Sequence, residues 1–154
     1  KMADILLEVN DAVYPEQELT NIIHFFPVAK RYKKLHITFT YQPKYVYDEE
    51  VCRPFLYEGA KQYDKSLLNH FEEQFREHLP LSNFLTLSFD DASGAYRGCA
   101  HRHNPTQEHE IGEDFASLGF YRGAIGTGDW RAVINVHAII TGDVTYHLKI
   151  EGEE

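Results

Sequence analysis

Between positions 130 and 141 every even residue is apolar: Trp130, Ala132, Ile134, Val136, Ala138 and Ile140. The odd positions, Arg131, Val133, Asn135, His137, Ile139 and Thr141, are mixed. A period of two marks a strand with one buried face. After Thr141-Gly142-Asp143 the alternation resumes, with Val144, Tyr146, Leu148 and Ile150 apolar and Thr145, His147, Lys149 and Glu151 between them. If the two runs pair, their apolar rows must oppose each other, because residues directly across an antiparallel pair share a face. A three-residue turn at 141–143, with Gly142 supplying unusual backbone angles, meets that condition. It sets Val136 against Leu148 and His137 against His147.

The same period recurs earlier. Ile5, Leu7 and Val9 predict a short first strand, and the apolar run 22–28, ending near Pro27, an edge strand or a strand end. Leu35, Ile37, Phe39 and Tyr41 predict a half-buried strand. Further strands are expected at 84–89, 96–99 and 109–111. Turn residues fill 90–94, a polar loop 101–108 and a glycine-rich loop 112–128. Residues 43–82 change period: Leu56, Ala60, Tyr63, Leu67, Phe71 and Phe75 recur at steps of four and three, with charges between. This predicts an amphipathic helix over 55–78, opened after Pro54, closed before Pro80 and packed on the sheet. The expected architecture is mainly β: one domain over 1–154, an antiparallel jelly-roll-like β-sandwich with a helical insertion within 47–81.

Composition narrows the function classes. A chain of 154 residues with 43% hydrophobic and 14% aromatic content has the means to bury a core. A net charge of −9 argues against nucleic-acid binding, and Lys30-Arg31 and Lys33-Lys34 are the only basic clusters. No apolar run reaches membrane-span length and no signal peptide opens the chain, so no membrane contact and a cytoplasmic location are expected. Cys52 and Cys99 are then expected as free thiols. Lys1 before Met2 reads as an added residue, with Met2 the expected natural start.

Nine histidines supply the candidate chemistry. His101-x-His103, with His109 nearby, has spacing that suits a divalent metal such as zinc, and Cys99, Glu108, Glu110, Glu113 and Asp114 lie close in sequence. H-x-H alone is a weak motif, and Arg102 with Asn104-Pro105 equally describes a solvated loop. The expected His137–His147 pair is a second metal or pH-sensitive candidate, against the plainer reading of a polar outer face beside Asn135 and Lys149. The glycines of 119–128 lack the Lys-Ser/Thr of a phosphate loop, and neither a G-x-S-x-G elbow nor an EF-hand pattern is present. Tyr96, Tyr121 and Trp130 offer a carbohydrate platform, although Trp130 sits on the apolar row.

Several strings carry a family likeness. They are Phe89-Asp90-Asp91 leading through Gly94 to Tyr96-Arg97-Gly98, then Gly119-Phe120 with Gly123, Ile125, Gly128 and Trp130, then Thr145-Tyr146 with Leu148 and Ile150. Pro27 followed by Leu35, Ile37, Phe39 and Tyr41 adds a fourth. Together they resemble the N-terminal accessory domain of PHP-type metal-dependent phosphoesterases, the CehA/McbA group. The resemblance implies a β-sandwich that assists or positions a hydrolase domain, in cis or as a partner protein. The catalytic domain's metal ligands have no counterpart spacing here, so it implies no catalytic residue and no firm cofactor. The expectation is a non-catalytic accessory or interaction module; the alternative is a small histidine-rich metal-binding protein or metal-dependent hydrolase.

Overall fold

The computed structural model describes residues 3–100 and 104–154. Among these, the strands are β1 (Ala3–Val13), β2 (Asn21–Val28), β3 (Lys34–Gln42), β4 (Tyr45–Val46), β5 (Leu81–Ser82), β6 (Phe84–Asp90), β7 (Tyr96–Ala100), β8 (Thr106–Gly112), β9 (Gly128–Ala138) and β10 (Val144–Glu153). The helices are α1 (Glu49–Tyr63), α2 (Lys65–Asn69) and α3 (Phe71–Gln74). Two four-stranded antiparallel sheets form, ordered β1-β10-β3-β8 and β2-β9-β6-β7. The partners nest: β1 with β10, β2 with β9, β3 with β8, β6 with β7. A long hairpin rolled onto itself gives this order, which is the jelly roll. The expected mainly-β sandwich is therefore what the chain adopts.

One expectation fails. β9 and β10 do not form a hairpin. β9 lies between β2 and β6, where Ile134 pairs with Ile22 and Leu87. β10 lies between β1 and β3 in the other sheet, where Leu148 pairs with Val9 and Phe39. Residues 139–143 carry the chain from one sheet to the other, and Gly142 keeps its φ outside the left-handed range. The two apolar rows do oppose each other, but across the sandwich rather than side by side. Alternation reports a buried face and says nothing of whether its neighbour is a strand alongside or a sheet opposite.

The core between the sheets is built from those rows. Trp130, Phe26 and Phe89 are fully enclosed, with ring centroids 6.1 Å apart from Phe26 to each of the others. Leu35, Ile37 and Phe39 of β3 and Leu148 and Ile150 of β10 face them from the first sheet. Burial of each such side chain contributes about 1.5–3 kcal/mol.

Arg97 explains why the glycine-rich stretch is ordered. Its side chain is buried and donates to the carbonyls of Tyr121 (3.0 Å), Gly123 (3.0 Å) and Ala124 (3.1 Å). It also pairs with Asp91 at 3.4 Å. Three carbonyls of an otherwise irregular loop thereby gain buried, charge-assisted partners. Gly98, at φ +103°, lets the loop approach: a Cβ there would run into the Gly119 carbonyl. The Tyr96-Arg97-Gly98 and Gly119-Phe120 strings thus have a folding role.

The helical insertion departs from its expected form. α1 begins at Glu49, not after Pro54, because the Asp48 carboxylate caps it by accepting from the Glu50 and Val51 amides (2.9 and 3.2 Å). The helix then breaks: Asp64 ends α1 and caps α2, and a 3-10 turn at Phe75–His78 follows α3. The stripe holds at Ala60, Leu67, Phe71 and Phe75, which are buried, while Tyr63 is 86% exposed. These four residues form a small core of their own rather than a layer on the sheets. The β4–β5 ribbon, pairing Val46 with Leu81, joins the insertion to the sandwich. At its base Lys44 is buried, its Nζ 3.0 Å from both the Tyr41 hydroxyl and the Asn83 carbonyl, and 4.8 Å from the Phe84 ring centre. Burial pushes its pKa down. No helix among the described residues is long and apolar enough to cross a membrane.

Candidate functional site

The outer faces of the two sheets differ chemically. On the first, register places Glu8, Lys149, Thr38 and Glu108 in one row and Ile5, Glu151, His36 and Glu110 in the next, with Ile5 exposed at the edge. On the second, Ile23 and Phe25 of the edge strand β2 project outward at 44% and 61% exposure, and Val133 lies beside Ile23. Next to them Leu19 is 86% exposed with φ +62°. A left-handed leucine costs about 1–2 kcal/mol. Its turn is held by the Leu19 amide on the Val136 carbonyl (2.8 Å) and by Glu18, which accepts from the Ile139 amide (2.8 Å). Three exposed apolar side chains, Leu19, Ile23 and Phe25, thus lie along β2 and the turn before it.

A groove of about 460 Å³ opens on this same face, lined by Leu19, Thr20, Asn21, Phe84, Thr86, Cys99, Asn135, Val136 and His137. β6 and β9 supply its polar floor. Asn135 Nδ2 donates to the Thr86 hydroxyl at 3.1 Å, and Thr86 Oγ1 lies 2.8 Å from His137 Nε2. Thr86 Oγ1 thus sits between the Asn135 amide and the imidazole, and which of Thr86 and His137 donates depends on the imidazole tautomer. Burial lowers the His137 pKa, which favours the neutral imidazole. The imidazole stacks on Phe84, centroids 4.7 Å apart, and His137 is the extra residue of the bulge where β6 pairing skips from Val136 to Ala138. Burial pushes the Cys99 thiol up, outweighing hydrogen bonds with Thr86 and Tyr96 that lower it. A raised thiol pKa disfavours the thiolate a cysteine nucleophile needs.

Thr86 and His137 have the separation of a nucleophile and its base. The third group in contact with the imidazole is the Phe84 ring rather than a carboxylate, and Thr86 is almost wholly buried. The floor therefore presents hydrogen-bonding atoms beside an apolar rim, the composition of a binding groove. A slightly larger groove, about 490 Å³, crosses the end of the first sheet at Asn10, Thr40, Gln42, Thr106, Thr145 and His147. Its lining mixes these polar side chains with Ala12, Tyr41 and Tyr146 and is less apolar than that of the other groove, and we place the candidate site on the second sheet for that reason.

The sequence-derived candidates are scattered. His101 and His103 lie outside the described residues. His109 faces inward on β8, 4% exposed, with Nε2 2.8 Å from Gln107 Oε1 and its ring 5.0 Å from Phe120. His137 and His147 stand on opposite sheets and do not face each other; His147 bonds Glu8 at 2.7 Å, holding that carboxylate below its usual pKa. Glu108 and Glu110 meet His36 and Lys34 at 3.2 and 3.0 Å, and Glu113 meets Arg31. Cys52 and Cys99 are free thiols, as expected. Tyr96 and Tyr121 are both half-exposed but meet edge to face at 72°, and Trp130 is buried, so the three rings make no flat platform. Thr86 escaped the sequence reading, which has Asn135 only as part of a plain polar face beside His137. Alternation puts Asn135 and His137 on one outer face, but only the β6–β9 register brings Thr86 to them.

Compared with known proteins, the chain matches no family model, no curated protein and no solved structure.

Proposed function

We propose that this chain is a non-catalytic β-sandwich module that works by contact, and that the outer face of the second sheet is its contact surface. The observation that carries this reading is the difference between the two faces: a mainly charged ladder edged by Ile5 on one, and Leu19, Ile23 and Phe25 held out to solvent on the side of the His137 groove on the other. The resemblance to the accessory domain of PHP-type phosphoesterases names the partner class, a hydrolase domain in cis or on a separate chain. The groove's Thr86–His137–Asn135 floor adds polar specificity to an apolar contact.

Sedimentation of the chain with a purified PHP-type phosphoesterase catalytic domain tests this. Association is expected for the wild type and lost in Leu19→Asp and Phe25→Asp, both at exposed positions where the fold tolerates charge. Association unchanged in both variants, or none with the wild type, overturns the reading.

A further inference from the structure

Three metal-ligating side chains converge well away from the groove, on the outer face of the first sheet. His36 stands on β3, the strand between β10 and β8. Glu110 is directly across from it on β8, and Glu153 is diagonal to it on β10, two residues beyond the directly paired Glu151. One ligand atom from each lies within 4.8 Å of the other two. Two metal–ligand bonds of about 2.0–2.2 Å reach a little over 4 Å end to end, so small rotamer changes bring all three onto one ion. The donors are held on three hydrogen-bonded strands of one sheet, which limits the ordering needed to assemble them. All three side chains are only partly exposed, at 29%, 32% and 20%.

A cation already sits there. Lys34 Nζ is 3.0 Å from Glu110 and 3.8 Å from Glu153. Among the described residues, Glu108 contacts His36 at 3.2 Å and Glu151 flanks it, with Lys149 3.9 Å from Glu151.

We propose that His36, Glu110 and Glu153 form a binding site for a first-row divalent cation, and that the Lys34 ammonium is the resident cation that such an ion displaces. One imidazole with two carboxylates matches zinc, with water in the fourth position; calcium and magnesium favour oxygen donors throughout. On binding, Lys34 swings to solvent and the two carboxylates exchange an ammonium for the metal.

Titration with zinc chloride, followed calorimetrically in a non-chelating buffer, tests the site. Because other histidines bind zinc weakly, differences between variants carry the result. Lys34→Met is expected to bind about tenfold tighter than wild type, and Glu110→Gln about tenfold weaker or not at all. Adding His36→Gln to Lys34→Met is expected to remove the gain, which distinguishes coordination from a simple change in charge. Glu153→Gln gives the same readout as Glu110→Gln if the latter does not fold by circular dichroism. Equal affinity across the series, or a Lys34→Met gain that survives His36→Gln, overturns the proposal.

Discussion

The Arg97 guanidinium lies 5.1 Å from the centre of the Trp130 indole while its nitrogens hold three carbonyls of the loop before β9. The indole Nε1 in turn donates to the Gly126 carbonyl at 2.8 Å. One side chain of β7 and one of β9 thus fix the same loop from two directions. Arg97→Met keeps much of the volume but strands those carbonyls, and is expected to cost about 3–5 kcal/mol. Urea unfolding measures it; a loss near that of an ordinary surface substitution would show that the loop holds itself.

Gly98 and Gly126 make a contrasting pair. Gly98→Ala forces a side chain into the Gly119 carbonyl at a left-handed φ, whereas a Cβ on Gly126 meets nothing within 4 Å. Gly98→Ala is expected to lose more than about 4 kcal/mol or fail to fold, and Gly126→Ala to stay within about 0.5–1 kcal/mol of wild type. Thermal unfolding of both variants checks this, and equal melting temperatures would contradict it.

Acidification should weaken the fold through two histidines. His24 Nε2 lies 2.9 Å from the Tyr146 hydroxyl, joining β2 to β10 across the sandwich, and burial lowers the His24 pKa below its usual 6.5 despite Asp11 nearby. Burial lowers His137 likewise and pushes Tyr146 up to about 12. The unfolded chain therefore binds protons near 6.5 that the folded chain refuses until lower pH. Stability rises with pH through that window and is lost below it. The melting temperature is expected to fall between about pH 7 and about pH 5.5, and to fall less in a His24→Gln, His137→Gln double variant. The depressed carboxylates Asp4, Glu8 and Asp91 act at lower pH, below their usual 3.8–4.5. An unchanged slope in the double variant would assign the acid sensitivity elsewhere.

The H-x-H reading of His101 and His103 has its own test. It expects stoichiometric zinc, by elemental analysis of purified protein, that falls in a His101→Ala, His103→Ala double variant and persists in Glu110→Gln. Zinc content indifferent to the double variant removes that reading.

Much of the sandwich was legible because its strands bury one face each, and alternation reports that directly. β3, β6, β9 and β10 stood out for this reason. β8 was read too short because Gln107 and His109 face inward, and polar residues at buried positions look like loop. The partner of each strand was not legible. A jelly roll requires the last two strands to lie in opposite sheets, so the expected fold and the expected hairpin were incompatible; the hairpin was the one to give way. The same gap hid the groove, since Thr86 and His137 are 51 residues apart and meet only through the β6–β9 register. The insertion's breaks at Asp64 and His70 were obscured by a helical period that runs through them unbroken, while Asp48 and Asp64 carried the capping signal.

The β4–β5 ribbon brings Val46 and Leu81 together as hydrogen-bonded partners, and the residues between them keep their own small core. The chain thus leaves the sandwich and returns to it at one doorway. Whatever occupies that doorway is, in evolutionary terms, an exchangeable cassette: a tight turn closing the same ribbon would leave both sheets as they are. Selection is free to remodel residues 47–80 for a new recognition task at little risk to the fold that carries them.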